Sequence, residues 1–222
     1  MKKERIYPDS GVELSPFISR NYDRIMAMAS MGHYPKSIIR AIEDMQIQPN
    51  DHILDLGCGT GYNTSLMASY FNGTGRIHGL DISDEMALQF QSRFSEDTRI
   101  TYQNQRIDLP FQLDRKFNKI FISFVIHGFP HEICHAIIEN AYKHLEEGGA
   151  FFILDFAEFD MSAMPFHHRA IFKAVECKYA FDYIQRDWKS ILKEKGFTEF
   201  TEHFYLKKYM RLLKAVKTKI TK

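Results

Sequence analysis

One stretch of this sequence carries concentrated chemistry: Ile53-Leu54-Asp55-Leu56-Gly57-Cys58-Gly59-Thr60-Gly61. An apolar run ends in a carboxylate, and a glycine-rich loop then opens a helical segment. Glycines admit positive φ and let the backbone approach a ligand closely. The free N–H groups at the start of the following helix suit a carboxylate or phosphate. Several nucleotide cofactors use this arrangement, so the details must discriminate. The dinucleotide fingerprint needs glycines at its first, third and sixth positions. Here the sixth position from Gly57 is Tyr62, and the spacing is Gly-x-Gly-x-Gly. No Gly-Lys-Ser/Thr follows, which argues against a phosphate-binding P-loop.

Two further carboxylates sharpen the picture. Asp81 closes the next apolar run, where a carboxylate can accept hydrogen bonds from both hydroxyls of a ribose. Asp108, in Ile107-Asp108-Leu109-Pro110-Phe111, can accept from an adenine amino group while Ile107 packs on the ring. Singly, each is as well read as a helix cap or a solvated loop carboxylate. Together they lie at the carboxyl ends of successive strands, where α/β folds bind ligands. A competing motif is His131-Glu132-Ile133-Cys134-His135, which matches the H-E-x-x-H signature of zinc hydrolases. With no zinc-protease context around it, it reads as the solvent-facing first turns of a helix, with Glu132 favoured there by the helix dipole. No metal is expected in the site.

These groups need a frame. Apolar runs at 52–56, 76–80, 100–103, 119–125 and 150–156 read as strands, and 62–70, 85–94 and 131–145 have helical spacing. Ser83 and Asp84 offer a cap for the second of those helices, and Gly148-Gly149 is expected to stop the third. Upstream, helices are expected over 21–31 and from Pro35 to about Met45. Past Asp155, helices are expected over 165–179 and 182–195, then strands over 197–205 and 209–216. Continuous apolar strands alternating with helices predict an α/β fold whose parallel sheet is covered on both faces.

Composition bounds the function classes. The chain has 222 residues, enough for one domain, with 45% hydrophobic and 26% charged residues. Nineteen Phe and eleven Tyr point to a large core, an aromatic-lined pocket, or both. Lys and Arg number 29 against 28 Asp and Glu, so no bulk field draws the chain to nucleic acid. The basic cluster from Lys207 to Lys222 reads as a solvated edge strand and tail. Three widely spaced cysteines, Cys58, Cys134 and Cys177, predict no disulfide framework and fit a reducing cytoplasm. The charged start is no secretory signal, and no apolar run is long enough to span a bilayer. Peripheral membrane contact and oligomeric state stay open.

Asp55 to Gly61, Asp81, Asp108, Phe117-Asn118-Lys119-Ile120 and Leu145-Glu146-Glu147-Gly148-Gly149 form an ordered set. It resembles the class I S-adenosylmethionine-dependent methyltransferases. Within them the stretch Tyr22-Asp23-Arg24-Ile25-Met26 to Ser30-Met31-Gly32-His33-Tyr34 is similar to the ubiquinone/menaquinone-biosynthesis C-methyltransferases. Two features depart from that group: the block from Met161 to Trp188, and Asn118 in place of the usual Asp. The resemblance implies a Rossmann-like three-layer sandwich with a mostly parallel seven-stranded sheet, the last strand antiparallel. It implies one domain over 1–222, with a helical lid over 1–45, a cofactor-binding core over 46–160, and substrate-side helices and final strands over 161–222. The cofactor is then S-adenosylmethionine, released as S-adenosylhomocysteine. Its expected binding residues are Tyr22, Asp55, Gly57, Cys58, Gly59, Gly61, Asn63, Asp81, Ile82, Ile107, Asp108 and Ser123, with Tyr22 and Ser123 lining the amino-acid end. Aromatic faces can stabilise a sulfonium, with Tyr22, Tyr34 and Phe124 as candidates, though Phe124 is better read as core. The acceptor is expected to be a small lipophilic or aromatic molecule such as a quinol. Methylation of a ring carbon needs a proton acceptor, and His127, just past the fourth strand, is the expected catalytic base, with a structural role equally open. Asp155 is a weaker candidate, read equally well as a cap. Retention of the cofactor without transfer, and an RNA or protein acceptor, are the competing readings; no basic groove supports the latter.

Overall fold

A five-residue strand that is buried along nearly its whole length must have both faces covered, and β1 (His52–Leu56) is buried from Ile53 onward. A computed structural model describes Ser10 and residues 33–218. Helix α1 (His33–Asp44) precedes β1, which is followed by α2 (Tyr62–Ala68), β2 (Arg76–Asp81), α3 (Asp84–Arg93), β3 (Ile100–Asn104) and β4 (Phe117–Ser123). A short 3-10 turn, Ile126–Gly128, leads into α4 (His131–His144) and β5 (Leu145–Phe156). Three helices follow, α5 (Phe166–Val175), α6 (Lys178–Tyr183) and α7 (Trp188–Glu194), then β6 (Phe197–Tyr205) and β7 (Met210–Lys217).

The seven strands form one sheet in the order β3-β2-β1-β4-β5-β7-β6. The pairs among β1 to β5 are parallel, and β7 runs antiparallel to both β5 and β6. Alternate residues of the strands feed two separate cores. Leu54, Ile120, Phe151 and Leu213 join Ile137 and Ile138 of α4 and Leu192 of α7 on one face. Ile53, Phe121, Phe152 and Leu212 join Ile38 and Ile42 of α1, Met67 of α2 and Phe90 of α3 on the other. This is the expected three-layer α/β sandwich. Ser83 caps α3 as expected, its hydroxyl accepting from the Met86 N–H at 3.2 Å.

Four expectations need correction. Helix α4 ends at His144, and β5 begins at once, so Gly148 and Gly149 lie within the strand element. The extra residues are absorbed by a register break in which Phe117 faces Leu145 while Lys119 faces Ala150; Gly148, at φ +77°, takes the left-handed turn. The expected helix over 182–195 is two helices, because Asp187 accepts from the Ser190 N–H at 3.1 Å and so caps a new start. The expected helix over 165–179 likewise stops at Val175, and a new one starts at Lys178. The basic C-terminal segment is no edge strand: β7 lies between β5 and β6, and its Arg211 is buried against Glu158 and Glu202. The expected helix over 21–31, and Tyr22 with it, falls outside the described residues.

Asn118 has a local reason. Its Oδ1 accepts from the His52 N–H at 2.8 Å, and its amide donates to Asp51, which is itself paired with Lys119 at 2.8 Å. A carboxylate at 118 would face the Asp51 carboxylate and could not donate to it.

Candidate active site

The sheet order reverses between β1 and β4, and the crevice beyond their carboxyl ends is the ligand position of such folds. The glycine loop lies there. The Gly57 N–H donates to Leu80 O at 2.8 Å and folds the loop across the end of β2. At φ +71°, with Val125 Cγ2 only 2.7 Å from where a Cβ would stand, position 57 admits glycine alone without strain. A Cβ at Gly59 would meet nothing nearer than Met86 Sδ at 3.9 Å, so the loop is open on that side. Gly61 is the left-handed residue before α2.

Asp81 closes the loop. Its Oδ2 accepts from the Gly59 N–H at 2.9 Å and its Oδ1 from the Ser83 N–H at 2.9 Å. Burial pushes its pKa up, against the N–H groups that favour the charged form. Each oxygen keeps acceptor capacity for a further donor. Asp55 is 2% exposed and accepts from the Thr64 hydroxyl at 2.7 Å. Burial pushes its pKa up to about 7; the Thr64 bond opposes the rise and the Asp81 charge adds to it.

The remaining expected residues fall around these two. Cys58 turns its thiol into the core, where Sγ would touch a Cβ at Gly79, and its N–H and C=O are engaged by Leu80 and Gly61. It shapes the loop more than it offers a polar contact. Asn63, in the first turn of α2, and Ile82, after β2, are half-buried. Ile107 is buried in the core, and Asp108, also buried, is gripped by Arg106 at 2.5 and 3.1 Å. Asn140 of α4 pins this loop by donating to Ile107 O at 2.9 Å and Leu109 O at 2.8 Å. Ser123, at the end of β4, has a buried hydroxyl with no hydrogen-bond partner among the described residues.

The chain leaves β4 through Phe124, a non-glycine residue at φ +51°. Such a turn costs about 1–2 kcal/mol and is retained where the surroundings hold it. It sets Val125 against Gly57 and brings His127 over Asp155 at the end of β5. His127 Nδ1 lies 2.7 Å from Asp155 Oδ1, and Nε2 lies 3.5 Å from Glu176 Oε2. Burial alone would lower the imidazole pKa, but Asp155 and then Glu176 outweigh it and raise it to about 9. His127 is therefore an imidazolium at neutral pH, the opposite of the resting state a general base requires. Aromatic rings surround it, with Phe156 at 5.0 Å, Tyr183 at 6.3 Å and Phe124 at 6.4 Å between centroids. Phe172 of α5 packs on Phe156 at 5.1 Å, so the block after β5 supplies one wall.

Three partners escaped the sequence reading: Thr64, Asn140 and Glu176. Only Thr64 had a signal, a hydroxyl one turn into the helix after the loop. Asp155, read as a cap or a weak base, is the ring's anchor and also accepts from the Phe156 N–H at 2.7 Å. His131 and His135 are half-buried on α4, and among the described residues no group of three or more His, Cys, Asp or Glu gathers to hold a metal.

Residues 53–149 match the methyltransferase domain family. Among curated relatives, a demethylmenaquinone methyltransferase of Symbiobacterium thermophilum is 30% identical over 64% of this chain and 57% of its own length. The chloroplastic 2-phytyl-1,4-beta-naphthoquinone methyltransferase of Arabidopsis thaliana is 26% identical over 65% of this chain and 57% of its own. The chain thus spans little more than half the length of these two relatives. Among solved structures, a SAM-dependent methyltransferase of Aquifex aeolicus superposes with a TM-score of 0.65 at 14% identity, over 92% of this chain and 99% of that one. This chain thus has the fold of solved S-adenosylmethionine-dependent methyltransferases, carries a match to the methyltransferase domain over residues 53–149, and is similar in sequence to quinone methyltransferases.

Proposed function

We propose that this protein transfers the methyl group of S-adenosylmethionine to a small, apolar, ring-containing acceptor such as a demethylated quinol. The observation that carries the donor half is the Asp81 carboxylate, held by two backbone N–H groups at the mouth of an open glycine loop. The unpartnered Ser123 hydroxyl and the open side at Gly59 also fit an adenosyl group with an amino-acid tail. In this reading Asp81 accepts from both ribose hydroxyls, and Ile107 and Asp108 hold the adenine. The loop from Asp55 to Gly61, with Asn63 and Ile82, borders the rest, and Ser123 and Tyr22 meet the amino-acid end. When bound, the donor supplies a methyl group already activated by its sulfonium. The chain's own task is to align the acceptor and exclude water.

The acceptor half rests on the aromatic walls around His127 and on the names of the relatives. His127 serves first as a hydrogen-bond donor to an acceptor oxygen. Glu176, at 3.5 Å, is beyond good hydrogen-bond range of Nε2 and is the partner that oxygen replaces. Loss of the Glu176 charge from its side then lowers the imidazole pKa, so that Nε2 releases its proton to water, and the neutral ring, still held by Asp155 at Nδ1, can take the ring proton. We assign the lid to 1–45, the cofactor core to 46–160 and the acceptor side to 161–222. No helix among the described residues is long and apolar enough to cross a membrane; the reading that the enzyme is cytoplasmic rests on its three free cysteines, which suit a reducing compartment. The test is incubation of labelled donor with a panel of quinols and phenols, followed by organic extraction. Label in the organic phase is expected. Donor binding with no transfer to any member refutes the acceptor and leaves a donor-binding protein.

A further inference from the structure

Helix α4 opens with histidines four residues apart, so both rings lie on one face of its first two turns. His131 Nε2 and His135 Nε2 are 3.1 Å apart, with the rings at 89° to each other. Two arrangements give that separation, and the ring centres tell them apart. With each nitrogen about 1.15 Å from its ring centre, a linear N–H···N bond would hold the centroids about 5.4 Å apart. Convergence of both nitrogens on one ion about 2.05 Å away needs centroids about 4.8 Å apart and subtends about 98° at the ion. The centroids are 4.5 Å apart, shorter than both values and nearer the convergent one. An angle of about 98° lies between the octahedral and tetrahedral values, which imidazole complexes of zinc, nickel and copper all accommodate.

We propose that His131 and His135 form a two-imidazole site for a single zinc, nickel or copper(II) ion, separate from the methyl-transfer site. Water fills the remaining positions. Around His135 the Lys195 ammonium opposes a cation, and its ion pair with Glu139 at 2.6 Å and the nearby Glu194 carboxylate offset part of that repulsion. Trp188, with its ring 6.2 Å from that of His131, walls the other side. Among the described residues His131 Nδ1 is buried without a partner, so the ring lacks there the second hydrogen bond that strengthens metal histidines. The site is therefore an exchangeable one, selective for imidazole-seeking ions over magnesium and calcium.

Calorimetric titration of the metal-free full chain with zinc and with nickel tests this. One equivalent is expected to bind, with no response to magnesium. His131→Gln and His135→Gln should each weaken binding about tenfold or more, the scale of loss at metal-site histidine networks. His203→Gln, on the remote strand β6, should leave it unchanged. Thermal unfolding without metal establishes that each variant is folded, and a nickel-dependent rise in Tm should appear in the wild type and in neither variant. Absence of binding by the wild type, or binding that survives both substitutions, overturns the proposal. Neither outcome bears on methyl transfer, which has its own assay.

Discussion

Asp55 offers a sharp test of how the site is built, because its charge is costly to the fold. The carboxyl is buried, and its pKa moves from 3.8 to about 7 on folding. The folded state thus keeps a proton that the unfolded chain releases. Stability is greatest below pH 3.8, declines as pH rises through about 7, and is level above that. A shift of about three units corresponds to about 4 kcal/mol in full, of which about 2–3 kcal/mol falls between pH 5 and pH 8. Asp55→Asn keeps the shape and still accepts from the Thr64 hydroxyl, yet cannot ionise. Its stability relative to wild type should therefore rise by about 2–3 kcal/mol from pH 5 to pH 8. Urea unfolding of both proteins at the two pH values measures this, since contributions from groups not coupled to Asp55 cancel in the difference. The variant should gain stability and lose donor affinity together. A stability difference that is the same at pH 5 and pH 8 would refute the claim that the carboxylate is held ionised at a cost.

Asp81→Ala should weaken S-adenosylmethionine binding by about 1.5–3 kcal/mol, the range for hydrogen bonds to a charged group, as read by calorimetry; unchanged affinity removes Asp81 from the site. Gly57→Ala should destabilise by about 1–3 kcal/mol, because its methyl would overlap Val125 at a left-handed φ, and a denaturation midpoint equal to wild type would contradict the loop geometry. With His127 protonated up to about pH 9 in the free enzyme, kcat/KM for a ring-carbon acceptor should rise with pH through that value. Glu176→Gln removes one of the charges that raises the pKa, so the rise should move to lower pH, and a profile that stays in place in kcat/KM would show that His127 is not the titrating group. His127→Ala should lower that turnover about 10²–10⁴-fold with donor affinity nearly unchanged.

The parts of this site that the sequence discloses are those with local causes. A carboxylate at the end of an apolar run, glycines at alternate positions and a Ser cap are short-range patterns, and Asp55, Gly57, Asp81 and Ser83 stand where those patterns put them. The strand positions follow for the same reason, because a buried parallel strand has to be apolar on both faces. The break between α6 and α7 turns on a single capping contact at Asp187, which helical periodicity does not register. The interior place of β7 depends on pairing, and Arg211 looked like part of a solvated tail until Glu158 and Glu202 were brought to it. His127 shows the limit most clearly. Its position past β4 is a property of local sequence, but its charge is not. Asp155 lies 28 residues away and arrives only through the pairing of β4 with β5, while Glu176 arrives only when the block after β5 packs back over the strand ends. A histidine with neither partner would be neutral and basic at pH 7; with both it is a cation. The same residue at the same place is thus a base or a donor according to contacts made by distant segments, and an acceptor that displaces Glu176 would carry it from one role to the other.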